Sequence, residues 1–232
     1  MDPVPPENVP PDLAGHPDRL RWNAKYGNAP GLSSAHPLAE RALSEGLPDG
    51  EVLDLASGPS GSALLAAAAG RAVTAVDVSE VALGRLSAEA RRRGLERLIT
   101  LVQADLGAWR PSPPGYALVL CTGFWDRAVF GRAAASVLPG GLLAWEAFTE
   151  DARRDRPHLP AEWCLAPGEP ASLLPPDFTV LDQADAPATG KRALLARRSA
   201  PSGGREPLGA APGLRKADDV RLGLLQPGQE AR

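Results

Sequence analysis

EVLDLASGPSGSALLAAAAGRAVTAVD, Glu51 to Asp77, is the stretch from which the fold can be read. Val52 to Ala56 is a short apolar run that breaks at Ser57-Gly58-Pro59-Ser60-Gly61. An alanine- and leucine-rich segment follows, stops at Gly70, and gives way to a second apolar run, Ala72 to Val76, that ends on Asp77. The pattern predicts a strand, a glycine turn, a helix and a second strand closed by an acid. Such a turn lets backbone approach a ligand where a Cβ would collide, and the helix behind it begins with free N–H groups. Asp77 comes about twenty residues after Gly58, the interval at which a second strand brings a carboxylate to a ribose diol.

Working outward, Ser79 is placed to cap a helix running to Arg93, with Leu83, Leu86 and Ala90 on one face and Gly94 as its stop. Arg85 and Glu89, four apart, are spaced to pair on the other face. Leu98 to Val102 reads as a third strand, ending at Gln103-Ala104-Asp105-Leu106. Tyr116 to Cys121 is a fourth, wholly apolar and therefore central in a parallel sheet. Asp126 is placed to cap a helix carrying Val129, Phe130, Ala133 and Val137 inward; Pro139-Gly140-Gly141 ends it and starts a fifth strand, Leu142 to Phe148. Phe178 to Asp182 and Arg192 to Arg198 read as a terminal hairpin. Strands alternating with helices predict an α/β fold: a Rossmann-like, doubly wound, seven-stranded sheet, mostly parallel, with a C-terminal antiparallel hairpin. Ligands of such sheets bind beyond the carboxyl ends of the strands, which places Asp77, Asp105, Cys121 and Glu146 around one cleft.

The flanks read differently. Five prolines in the first eleven positions remove backbone donors and fix φ, so residues 1–17 are expected to be disordered, with no helix or ladder. Residues 18–199 form the folded domain, opening with Leu20, Trp22 and Tyr26 on a short helix; this aromatic pair either roofs a pocket or packs on the sheet edge. A second helix is expected across Pro37 to Glu45. Glu150 to Glu169, charged and broken by Pro157, Pro160 and Pro167, is expected to be a lid. Residues 200–232, rich in Gly, Pro and charge, form a disordered tail.

The chain has 232 residues and a formal net charge of −3, enough for one good-sized α/β domain and without the basic excess of a polyanion binder. Its two cysteines, Cys121 and Cys164, and three histidines indicate neither a disulfide scaffold nor a metal site, and fit a reducing cytoplasm. The acidic, proline-rich start is unlike a signal peptide, and no run is apolar enough for a membrane span.

Four marks in order, VLDLASGPSG (Val52 to Gly61), AVDVS (Ala75 to Ser79), QADL (Gln103 to Leu106) and VLPGG (Val137 to Gly141), resemble those of class I S-adenosylmethionine-dependent methyltransferases. FWDRAVF, WEAFT, RPHLPAEWCLAPGE and LLPPDFTVLDQAD are similar to the branch that includes tellurite-resistance-type enzymes. The resemblance implies S-adenosylmethionine (SAM) as cofactor, held at its methionine end by Asp54, Ala56, Ser57 and Gly58, at its ribose by Asp77 and Val78, and at its adenine by Asp105 and Leu106, with Cys121 beside it. Ala56 and Ser60 depart from the family pattern, standing where glycines are usual. Methyl transfer needs a general base only for a protonated nucleophile, and His158, Glu146 and Asp126 are the candidates; Trp125, Trp145 and Trp163 either wall the acceptor pocket or pack the core. The expected acceptor is a small molecule, either a soft chalcogen or thiol or a natural-product oxygen or nitrogen. Cys121-Thr122-Gly123-Phe124, where nucleic-acid enzymes carry Asn-Pro-Pro-aromatic, speaks against nucleic acid. A non-catalytic SAM-binding regulatory domain and an NAD(P)-dependent oxidoreductase are the alternatives; oligomeric state is left open.

Overall fold

In the computed structural model, residues 9–28, 31–112 and 115–200 are described. Two helices, α1 (Pro17–Gly27) and α2 (Pro37–Ser44), precede the stretch quoted first, which folds as β1 (Glu51–Leu55), α3 (Ser62–Ala68) and β2 (Val73–Asp77). There follow α4 (Glu80–Arg93), β3 (Ile99–Gln103), β4 (Tyr116–Thr122), α5 (Arg127–Ala135), β5 (Val137–Phe148), β6 (Phe178–Ala186) and β7 (Lys191–Arg198). The strands form one seven-stranded sheet in the order β3-β2-β1-β4-β5-β7-β6. β1 to β5 are parallel, and β7 runs antiparallel between β5 and β6. The predicted doubly wound sheet with its terminal hairpin is therefore present.

Side chains alternate across each strand, so one sheet feeds two cores. Leu53, Leu55, Val119, Leu143 and Trp145 pack toward α5, while Val52, Leu118, Leu120, Leu142 and Ala144 pack with residues of α2, α3 and α4. β4 is buried along nearly its whole length, as its unbroken apolar run predicted. In the first core Phe130 meets Trp145 edge-on at 5.2 Å and Trp125 meets Trp145 at 6.2 Å, geometries worth about 0.5–1.5 kcal/mol beyond their burial. The predicted caps hold. Ser79 Oγ accepts from the Ala82 N–H at 3.2 Å, Asp126 Oδ1 accepts from the Val129 N–H at 2.8 Å, and Gly94 closes α4 with φ 70°.

Three expectations are corrected. Residues 1–8 and 201–232 lie outside the described residues, but within 9–17 the chain is not without helical structure: Pro11–Leu13 make a 3-10 turn and Leu13 is buried. Proline is tolerated in the first turn, where its missing N–H is no loss. Val137 is not on α5, which ends at Ala135, and β5 begins at Val137 rather than Leu142, because Val137 already pairs with Tyr116; the glycines serve a register shift inside the strand. Glu150 to Glu169, expected as a lid, has 3-10 turns at Glu150–Arg154 and Ala161–Trp163 and a bridge from Thr149 to Leu165, which does not conflict with that expectation. Glu89 pairs with Arg92 and Arg93, while Arg85 reaches the carbonyls of Gly31 and Gly27.

Two contacts place α1 over the carboxyl ends of the strands. Buried Arg19 and Asn23 both donate to Glu80 at the start of α4. The segment after α1 then runs across the glycine turn: the Ser33 N–H donates to the Pro59 carbonyl at 2.9 Å and the Gly61 N–H to the Ser33 carbonyl at 3.0 Å. A Cβ at Gly61 would lie 2.9 Å from the Ala35 nitrogen, so this close crossing requires glycine.

Candidate functional site

The chain winds from β1 toward β2 and β3 on one side and toward β4 and β5 on the other, which opens a crevice where the direction reverses. A cavity of 390 Å³ lies there. Of the residues the sequence singled out, Ala56, Asp77, Val78, Asp105 and Leu106 line it. Asp54, Ser57 and Cys121 are buried off its wall. Gly58 lies under the roof, where a Cβ would come 3.1 Å from the Tyr26 hydroxyl.

Beneath the turn the carboxylates are crowded. Asp77 accepts from the Gly58 N–H and the Ser79 N–H, each at 2.8 Å, which ties the end of β2 to the turn after β1. Burial raises its pKa, and those backbone donors oppose the rise without cancelling it. Asp54, 2% exposed, is pushed up to about 8 by burial and by the nearby Asp77 carboxylate. Its Oδ2 and the Ser57 hydroxyl are buried with no hydrogen-bond partner in the protein. Buried polar atoms without partners are costly, and two beside a glycine turn mark a place built for a polar ligand. Ala56 has φ 48°, a left-handed conformation that costs an alanine about 1–2 kcal/mol and a glycine nothing. At the end of β3, Asp105 Oδ1 accepts from the Gly107 N–H at 3.0 Å.

The roof answers the question left open by the aromatic pair. Trp22 and Tyr26 stack at 5.5 Å, and both line the cavity from α1. Burial and the Asp77 carboxylate raise the Tyr26 pKa, so its hydroxyl keeps its proton. His16, just before α1, also lines the cavity, and its Nδ1 is buried without a partner. From the lid, Leu159 and Trp163 complete the wall.

On the far side stands Lys191, the first residue of β7. Its Nζ donates to Glu146 Oε1 at 2.6 Å, and His36 Nε2 lies 3.2 Å from the same oxygen. His36 Nδ1 accepts from the Leu38 N–H at 3.2 Å, which leaves a proton on Nε2 to point at Glu146. Burial favours the protonated acid at Glu146, but the hydrogen bonds from His36 and Lys191 prevail and hold it below the usual carboxylate range. The three base candidates are thus not gathered at the cavity: Glu146 is engaged by two donors, Asp126 caps α5, and His158 is exposed and off the wall. Of the tryptophans, Trp145 is core, whereas Trp125 and Trp163 line the cavity. His16, Lys25, His36 and Lys191 went unseen in the sequence, because none stands in a motif; only the position of Lys191 directly after the hairpin glycine, Gly190, was a clue.

The observed residues suit a nucleoside with a charged amino-acid tail. Asp77 faces the cavity with lone pairs remaining after two N–H bonds, Asp105 stands at the next strand end, and unpartnered polar atoms lie beside the turn.

Comparison with known proteins agrees with that fit. Residues 52–141 match the model of a family described as a methyltransferase domain. The CcbJ methyltransferase from Streptomyces caelestis shares 15% identity over 77% of this chain and 96% of its own, with a TM-score of 0.57. Magnesium protoporphyrin IX methyltransferase from Synechocystis PCC 6803, solved with bound SAH, shares 19% over 70% of this chain and 80% of its own, with a TM-score of 0.54. TehB from Haemophilus influenzae shares 19% over 70% of this chain and 61% of its own, with a TM-score of 0.57. At such identities the structural likeness establishes a common fold. No curated protein matches the sequence.

Proposed function

We propose that this chain, whose residues 52–141 match a methyltransferase-domain family, is a class I S-adenosylmethionine-dependent methyltransferase that methylates a small-molecule acceptor inside the roofed cavity. The observation that carries the reading is the convergence of Ala56, Asp77 and Asp105 from three separate strand ends on one cavity at the β1/β4 switch point. SAM, when bound, supplies an electrophilic methyl group on a sulfonium.

The residues divide the work by position. Asp77 accepts from the ribose hydroxyls with the lone pairs its backbone donors leave free, and Val78 lines the wall beside it. Asp105 accepts from the adenine amino group and Leu106 donates through its backbone, while Cys121 is buried in β4 beside Leu55 of β1. Ala56, Ser57 and Gly58 present backbone to the methionine end, and the protonated Asp54 carboxyl and the Ser57 hydroxyl lie buried behind it with polar atoms unpartnered. The reaction is an in-line displacement: an electron pair of the acceptor forms the new bond to carbon while the carbon–sulfur pair returns to sulfur. Any proton on the nucleophile leaves to solvent or to a base. α1 and the lid shield the site from water, and holding two reactants in line supplies several kcal/mol of barrier lowering, on the order of 7–11 in the best cases. A soft thiol or chalcogen is the acceptor implied by the tellurite-resistance resemblance, with which the likeness to TehB accords in fold. The 390 Å³ size of the roofed cavity and the net charge of −3 favour a small molecule over nucleic acid. We place the protein in the cytoplasm, which its two buried, unpaired cysteines suit. Among the described residues no helix is long and apolar enough to cross a membrane.

Calorimetric titration with S-adenosylhomocysteine, and with NADH alongside, tests the reading. Homocysteine-nucleoside binding alone, weakened about tenfold or more by Asp77→Ala and unchanged by Arg92→Ala, is the expected result. Binding of NADH in its place, or of neither, would overturn it.

A further inference from the structure

The same cavity, read as a methyltransferase site, also carries information on the charge of its acceptor. Its wall carries charges of both signs. Asp77 and Asp105 face in from the strand ends of β2 and β3. Arg21 and Lys25 line the same cavity from α1, and Lys191 from β7.

Each of these cations rests on an aromatic ring. The Arg21 guanidinium lies 4.4 Å from the Trp163 ring centroid, Lys25 Nζ 4.4 Å from Trp22, and Lys191 Nζ 5.4 Å from Phe148. A ring face holds a cationic head in place without cancelling its charge. Lys191 shares the Glu146 carboxylate with His36. Arg21 and Lys25 have no carboxylate within ion-pair distance among the described residues, and Asp18, one turn before Arg21 on the same wall, does not pair with it. Burial, then Arg21, then Lys191 draw the Lys25 ammonium below its ordinary range. Like charges gathered on a concave, aromatic wall are complementary to an anion.

We propose that the acceptor is an organic anion whose carboxylate or phosphate docks between Lys25 and Lys191, against Phe148 and Trp163. The anionic group is then distinct from the atom methylated. It orients the acceptor, while Glu146 and His36 act as positioning residues that hold Lys191 on the wall.

The cofactor brings a carboxylate of its own, so the test must separate the two. S-adenosylhomocysteine binding is first measured on the parent protein, Lys25→Gln and Lys191→Gln; this establishes the cofactor site independently of any acceptor. Methyl transfer from SAM is then followed with 3-mercaptopropionate, 4-hydroxybenzoate and 4-hydroxyphenyl phosphate, with the methyl esters of the two carboxylic acids, and with selenite; each compound is also titrated by calorimetry onto the S-adenosylhomocysteine complex. The expected result is that at least one acid exceeds its ester about tenfold or more in kcat/KM or in affinity, and that either glutamine variant removes this preference while leaving S-adenosylhomocysteine affinity within about twofold. The carboxylate and phosphate arms tell which oxyanion is preferred. Equal or better use of the esters, turnover of selenite alone, or no charge-dependent binding by any probe to a complex that holds S-adenosylhomocysteine normally would overturn the proposal and leave the methyltransferase reading standing. A glutamine variant that weakens S-adenosylhomocysteine as much as the acids would also overturn it, assigning that lysine to the cofactor carboxylate.

Discussion

Replacing Asp54 with asparagine should flatten the dependence of stability on pH. Asp54 is 2% exposed, and burial together with the Asp77 carboxylate raises it from 3.8 to about 8 in the folded protein. Between those values the folded state keeps a proton that the unfolded chain has released. The unfolded state therefore binds fewer protons, and stability must fall as pH rises through this window and level off above it. About four units at 1.36 kcal/mol each set an upper bound of roughly 5–6 kcal/mol, a large fraction of the stability of an ordinary domain. Asparagine is a neutral isostere of the protonated acid, so parent and Asp54→Asn variant should match near pH 4 and diverge in favour of the variant toward about pH 8. The Asp77 carboxylate, also raised by burial, contributes a slope of the same sign to both proteins and largely cancels in the difference. Urea unfolding followed by the fluorescence of buried Trp145 and Trp125, at steps from about pH 5 to pH 9, measures the effect. A parent whose midpoint does not move across that range, or a variant that keeps the parent's slope, would refute the buried-acid argument.

Ala56→Gly should raise stability by about 0.5–1 kcal/mol, since relief of the φ 48° conformation outweighs glycine's added unfolded-state freedom; Ala56→Val should lower it by more than about 1 kcal/mol in the same urea experiment. Gly61→Ala should cost on the order of 2–3 kcal/mol, seen as a lowered melting temperature, because its Cβ would press on the Ala35 backbone nitrogen at 2.9 Å. Glu146→Gln removes the shared partner of Lys191 and His36 and should cost about 1–3 kcal/mol at neutral pH. Glu146 is held below the usual carboxylate range in the fold, so its contribution is present above its unfolded pKa and is lost as pH falls through the folded value. The gap between the parent and the Glu146→Gln variant, read from urea midpoints, should therefore close in acid; a gap that is constant with pH would refute the ion-pair assignment.

Much of the site was legible along the chain because its parts are local. The glycine turn, the acids ending β2 and β3, and the caps at Ser79 and Asp126 each depend on a few neighbouring residues whose backbone preferences and spacing are written in order. The apolar run of β4 likewise announced a central parallel strand, and the order of elements announced the crossovers. Even the strain at Ala56 had its signal, an alanine where the family pattern has glycine. Its magnitude, however, depends on a φ that the closed turn imposes.

What only the tertiary structure decided is which distant groups meet. Lys191 and Glu146 are 45 residues apart and pair because β5 and β7 are antiparallel neighbours; His36 joins them because α2 packs on the same end of β5. The roof depends on Arg19 and Asn23 finding Glu80 across about sixty residues, a pairing with no local periodicity to betray it. Those contacts place Trp22, Tyr26 and Lys25 over the cavity instead of on the sheet edge, and the pairing at β7 engages Glu146 with two donors. Sequence determines local conformation through short-range sterics and periodic burial, whereas charge pairing and pocket shape follow from long-range packing, in which a single lysine or histidine carries no mark of the partner it will find.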